Sequence, residues 1–163
     1  MHKRRGAPIS SSSLPSHLVA QVAVIPQWHG MFTSSLAEAH RLSGNTDAAL
    51  QLARRGLAIT TSCRYWLAVG YGQRILGRIA SDTGAHDEAA AHFADALGTF
   101  TSIGAKLEVG RMRIELASLA AGRGDRLTAL THVEAAEAVL RDLDAPAYLE
   151  RAQRLAIELR RAV

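Results

Sequence analysis

Residues 70–110 read GYGQRILGRIASDTGAHDEAAAHFADALGTFTSIGAKLEVG, and this stretch decides the fold because it is one full unit of a repeat. It carries Leu76-Gly77, Ile79-Ala80, Gly84, Ala89, Phe93 and Ala96-Leu97. Displaced by 40 residues in either direction, the skeleton returns. Gly44, Gly84 and Gly124 align, as do Ala49, Ala89 and Ala129, and Leu36, Leu76 and Leu116. Ala53, Phe93 and Val133 share one register, and Gly30, Gly70 and Gly110 another. Three copies at a fixed period are the mark of a helical-repeat array, in which each unit buries what its neighbour leaves bare.

Working outward, the chain of 163 residues is long enough for one domain with a real core. Hydrophobic residues make up 48% and aromatics only 5%, with alanine and leucine carrying most of the apolar content. That balance suits closely packed helices and argues against a sheet built from β-branched and aromatic residues. No apolar run approaches the roughly 20 residues needed to cross a bilayer. The basic start, Met1 to Arg5, and the interrupted apolar run Leu18 to Ile25 lack the cleavage context of a secretory signal. A single cysteine, Cys63, excludes an internal disulfide, so a cytoplasmic location is expected. The formal charge is +4, of which Lys3, Arg4 and Arg5 supply three, leaving a nearly neutral body. A nucleic-acid module would carry a strong basic face, so no direct nucleic-acid partner is expected.

In chain order, residues 1–14 have tail composition, with Lys3-Arg4-Arg5, Pro8 and the serine run Ser10 to Ser13. The helical domain is expected over 15–163, with a short helix at Ser16 to Ile25, pairs at about 26–62, 64–102 and 105–143, and a cap at 146–161. Because Ser16 to Ile25 corresponds to the end of a second repeat helix whose first half is missing, the array is expected to begin mid-repeat, as a fragment of something longer would. Pro26 and Pro146, three periods apart, suit first helical positions, where a missing N–H costs nothing. Gly44, Gly84 and Gly124 are placed to end helices in left-handed caps, and Asp144 to cap the last helix. Gly30, Gly70 and Gly110 fall mid-helix, where glycine costs about 1 kcal/mol relative to alanine. Three such costs at one register predict a close backbone approach to the preceding helix.

Leu76-Gly77, Ala80, Gly84, Ala89, Phe93 and Ala96, echoed by Leu116-Ala117, Ala120, Gly124, Ala129, Val133 and Ala136, resemble a tetratricopeptide repeat. The first copy keeps Leu36-Ala37, Gly44, Ala49 and Ala53, with Gly56 where alanine is usual. The departures are a 40-residue period instead of about 34, no bulky aromatics early in the motif, and no proline closing each unit. Long alanine-rich repeats of this texture resemble the arrays of MalT-like and AfsR-like signalling ATPases and regulators. Over residues 26–163 the resemblance implies an all-α, right-handed solenoid of antiparallel helix pairs with a C-terminal capping helix. It also implies a concave groove lined by the first helix of each pair.

That geometry makes Tyr71, Arg74, Arg78, Arg111, Arg151 and Arg154 the candidate groove residues. Arginines held on rigid helices can grip carboxylates bidentately, so an acidic or C-terminal peptide segment is the expected ligand. Pairing with Asp82, Glu115 or Glu150 is the plainer role for such arginines. The expected function is non-catalytic protein–protein interaction or regulation. One rival is a sensor arm of a larger signalling ATPase or transcriptional regulator, packing on an ATPase or DNA-binding domain. Another is a homodimer scaffold. An enzyme would rest on Cys63 beside His40 or His86, but a lone cysteine is chiefly a packing residue. His86 and His92 are six apart and do not share a helix face, while His92 and His132 share a repeat register. No cofactor or metal is expected, since the glycines match neither a P-loop nor GxGxxG.

Overall fold

A computed structural model describes residues 25–161. They form seven helices: α1 (Ile25–Leu42), α2 (Thr46–Ser62), α3 (Trp66–Asp82), α4 (His86–Ser102), α5 (Lys106–Gly122), α6 (Arg126–Asp142) and α7 (Pro146–Arg161). There is no strand among the described residues. The expected tail at 1–14 and nearly all of the short helix at 16–25 lie outside them.

Helices α1–α2, α3–α4 and α5–α6 pair as antiparallel hairpins, and α7 packs on α6 as a closing first-type helix. The chain is thus an all-α solenoid of stacked hairpins. Alanine and leucine at helical spacing supply the buried stripes, and among the described residues proline is confined to first turns, at Pro26 and Pro146. Three successive cores result, each filling the wedge between one hairpin and the next first helix. Ile75, Leu76 and Ile79 pack over Ala49 and Ala53. Phe93 and Phe100 pack with Met112 and Leu119, and Val133 and Leu140 with Ala152 and Ala156. Burying each such phenylalanine is worth about 2–3 kcal/mol.

From α2 onward the helices start every 20 residues, so the structural period is half the sequence period. Every corner is the same three-residue turn. At the first, the Gly44 amide bonds Arg41 O at 3.0 Å and the Asn45 amide bonds His40 O at 2.9 Å. This is the crossed pattern of a Schellman cap, whose middle residue is left-handed. The pattern recurs at Arg64, Gly84, Gly104, Gly124 and Asp144. Asp144, at φ 49°, is therefore the left-handed corner residue of α6 and not the cap of α7. A true side-chain cap occurs at Asp125, whose carboxylate accepts from the Thr128 amide at 3.1 Å.

The mid-helix glycines correct a second expectation. A Cβ on Gly70 would lie 2.5 Å from a Phe100 ring carbon, one on Gly110 2.7 Å from Leu140, and one on Gly30 2.6 Å from Thr60. The crowding comes from side chains on the following helix of the same hairpin, thirty residues on, and not from the backbone of the preceding one. Large side chains at the end of each second helix reach across the hairpin, and glycine makes the room.

Candidate groove site

The first-type helices α1, α3 and α5 lie side by side and enclose a hollow of about 400 Å³. Met31, Ala68 and Ile75 give it apolar lining, and Tyr71, Arg74, Arg78 and Arg111 are its large polar walls. These residues come from equivalent turns of successive first helices, so the 40-residue repeat brings them together.

Glu108, 6% exposed, organises one side of the hollow. Its carboxylate accepts from Tyr71 Oη at 3.1 Å, Arg74 Nη1 at 3.0 Å and Arg111 Nη1 at 2.8 Å. The Arg74 guanidinium also stacks 5.0 Å from the Tyr71 ring centre, and Arg111 sits 5.0 Å from that of Tyr148. Tyr71 in turn meets Phe100 edge-on at 5.5 Å, tying the groove wall to the core. On the other side, Arg78 bridges α1 and α5, donating to Glu38 at 2.8 Å and also pairing with Glu115. Arg41 reinforces Glu38 from one helical turn away and reaches Asp82. The Glu38–Arg78–Glu115 ladder separates the hollow from a second one, of about 470 Å³, beside Ser118 and Arg151.

The electrostatics follow from crowding. Burial pushes the Arg74 guanidinium below its ordinary value, and the like charges of Arg111 and Arg78 push it further than Glu108 pulls it back. Arg78 is raised: burial opposes its charge, but Glu115 and Glu38 outweigh it. Glu38 is drawn up by burial, yet Arg41 and Arg78 together hold it below the usual carboxylate range. Burial and the neighbouring Glu108 charge raise the Tyr71 phenol. Arg74 Nε is buried without an acceptor, as is Ser34 Oγ.

Of the six candidate residues, Tyr71, Arg74, Arg78 and Arg111 line the first hollow and Arg151 the second. Arg154 lines neither; it is 66% exposed and lies 3.9 Å from Glu150 on its own helix. Arg151 makes no ion pair or hydrogen bond among the described residues, whereas Arg74, Arg78 and Arg111 are all engaged by carboxylates. Sequence reasoning missed Glu108 and Glu38. Glu108 had a visible signal: it occupies the register of Trp28, Ala68 and Tyr148, a charge where the other copies are apolar or aromatic.

Cys63 closes α2 at a half-buried corner, with Ser62 Oγ at 3.8 Å. His92 shares a 2.8 Å hydrogen bond with Gln73, and His132 one of 3.2 Å with Arg113, each within its own layer. No cluster of three or more His, Cys, Asp or Glu is placed to hold a metal among the described residues. Nor is any helix there long and apolar enough to cross a membrane.

No protein-family model and no curated protein matches the chain. Among solved structures, the crystal structure of BtubC (BKLC) from P. vanneervenii matches with a TM-score of 0.66 at 17% identity. What is shared is the fold. The match covers 83% of this chain but 63% of BtubC, so the chain spans less than two thirds of that protein's length.

Proposed function

We propose that this chain is a tetratricopeptide-like, non-catalytic interaction scaffold whose first-helix groove binds a peptide segment bearing acidic groups. The observation that carries the reading is Arg74. Its Nε donor is buried without a partner at the wall of an open hollow, among cations that outweigh the nearby carboxylates. An incoming carboxylate would relieve the repulsion and, with a turn of the Arg74 side chain that brings Nε into the hollow, would satisfy that donor. Met31, Ala68 and Ile75 provide room for an apolar neighbour of the acidic residue. The arginines and carboxylates of the hollow otherwise hold one another in place, which is the pre-organisation a scaffold uses to bind at low entropic cost. The alanine-rich 40-residue unit supports an array of the kind found in MalT-like and AfsR-like regulators.

The test is fluorescence anisotropy with labelled peptides in which leucine alternates with glutamate, with lysine or with serine. The glutamate peptide is expected to bind, more weakly as salt rises. Arg74→Lys, which keeps the charge but removes the Nε donor, should weaken it by about tenfold. Arg151→Glu, exposed and unpaired in the adjoining second hollow, should weaken it to a smaller degree, through the changed field alone, with helicity unchanged. Equal binding of all three peptides, or indifference to both substitutions, would sink the reading.

A further inference from the structure

We propose that the hollow between α4 and α6 is a second docking surface, and that it takes an amphipathic helix of a partner protein whose small apolar face carries an acidic residue. The hollow has a volume of about 690 Å³, lies across α5 on the second-helix side of the array, and shares no residue with the hollow of the first helices. Ala90, Ala94 and Gly98 of α4 form one wall, Leu97 and Leu116 add apolar surface, and Arg113 and His132 are the polar part.

The charge of Arg113 is what selects the occupant. Arg41, Arg74, Arg78 and Arg111, half-buried like Arg113, each pair with a glutamate. Arg113 makes no ion pair among the described residues; its hydrogen bond, of 3.2 Å, goes to His132 Nδ1. A guanidinium only donates, so Nδ1 accepts and the imidazole is neutral. Burial and the Arg113 charge both hold His132 below its ordinary pKa. The pair therefore carries one positive charge with no counter-charge, set in an apolar trough where a carboxylate would bond strongly.

Shape says what brings that carboxylate. Ala90 aligns with Leu50 and Leu130, Ala94 with Arg54 and Glu134, and Gly98 with Ala58 and Ala138, so each is smaller than its counterparts. A Cβ on Gly98 would meet nothing within 4 Å, so the chain's own packing does not call for glycine, a poor helix former, at that position. From Ala90 to Thr101 the wall follows three turns of α4, about 17 Å. A low wall of that length lets a second helix lie alongside at the roughly 8–10 Å of ordinary helix packing. The Leu57–Gly72 contact, carried one repeat on, sets Met112 against Leu97, so Arg113 stands near the middle of the trough. An acidic residue at the centre of the incoming helix then meets Arg113, and its apolar neighbours pack on Leu97 and Leu116.

The test is fluorescence anisotropy on the full chain, with a labelled, hydrocarbon-stapled helix whose alanine and leucine face carries one central glutamate. Lysine and glutamine versions serve as controls. The glutamate helix should bind with a Kd of about 100 µM or tighter, and the lysine helix at least about tenfold more weakly. Arg113→Gln should bring the glutamate helix down to the level of the glutamine one. Ala94→Arg, a side chain that α2 carries at this register as Arg54, should abolish binding with helicity unchanged. Gly98→Gln carries the comparison if Ala94→Arg unfolds the array. Arg74→Lys should leave binding as it is, which separates this surface from the first-helix groove. Equal binding of the glutamate and lysine helices, indifference to both Ala94→Arg and Gly98→Gln, loss with Arg74→Lys, or no binding at all would overturn the proposal.

Discussion

The Phe100 ring stands where a side chain on Gly70 would have to be: three of its carbons lie 2.5–2.9 Å from that Cβ position. Phe100 is fully buried, so the ring has nowhere to swing. Gly70→Ala gains about 1 kcal/mol of helix propensity and incurs an overpacking cost of about 1–3 kcal/mol. Urea denaturation should show a net loss. Pairing it with Phe100→Leu should cost less than the two single changes added together, because the shorter side chain yields the space.

Glu108 joins the third hairpin to the second through Arg74 and Tyr71, with Arg111 of its own helix as a further donor. Glu108→Ala strands the buried Arg74 charge, and the expected loss is about 3 kcal/mol or more. Replacing both Glu108 and Arg74 by leucine should recover much of that loss, since no unpaired charge then remains. A double change no better than the single one would mean that the carboxylate acts through Tyr71 and Arg111 instead.

Acid should weaken the fold partly through Glu38. Arg41 and Arg78 hold its folded-state pKa below 4.5, while in the unfolded chain it titrates near that value. Between the two values the unfolded chain binds more protons, so stability present above 4.5 is lost as pH falls through the folded value. The urea midpoint of Glu38→Gln should therefore vary less steeply with pH than that of the wild type across this window.

Two corners use residues that resist the left-handed conformation, Arg64 at φ 54° and Asp144 at φ 49°. Arg64→Gly should stabilise the chain by about 1 kcal/mol, and Gly104→Ala should destabilise it by a similar amount. Thermal melts of the two variants should move in opposite directions.

Much of the architecture could be read directly. Gly44, Gly84 and Gly124 announce left-handed caps, and the alanine stripes announce which faces are buried. The intervening corners were harder, because Arg64 carries no turn signal of its own and Asp144, beside Pro146, reads equally as the cap of the next helix. Phe32 and Leu36 share registers with the buried Met112 and Leu76 yet are exposed, since a periodic pattern states which face is apolar but not whether a neighbour is present. In the groove, the arginines were legible as residues on one side of successive helices. Of their partners, Glu115 was legible as a pairing carboxylate, but Glu38 and Glu108 were not, because each reaches Arg78 or Arg74 from a different unit and meets it only when the units stack.

Identical corners also bear on how such a chain changes over generations. A segment running from one left-handed residue to the one two corners later, such as 85–124, begins and ends in the same backbone geometry. Duplicating or excising that cassette would keep the stacking angle on both sides, so the array can lengthen or shorten by whole units. Excision would take Glu115 away from Arg78, whereas duplication would add no second bridge, because Ser118 stands at the Arg78 register. Reach would grow with copy number while the bridge stays where it is.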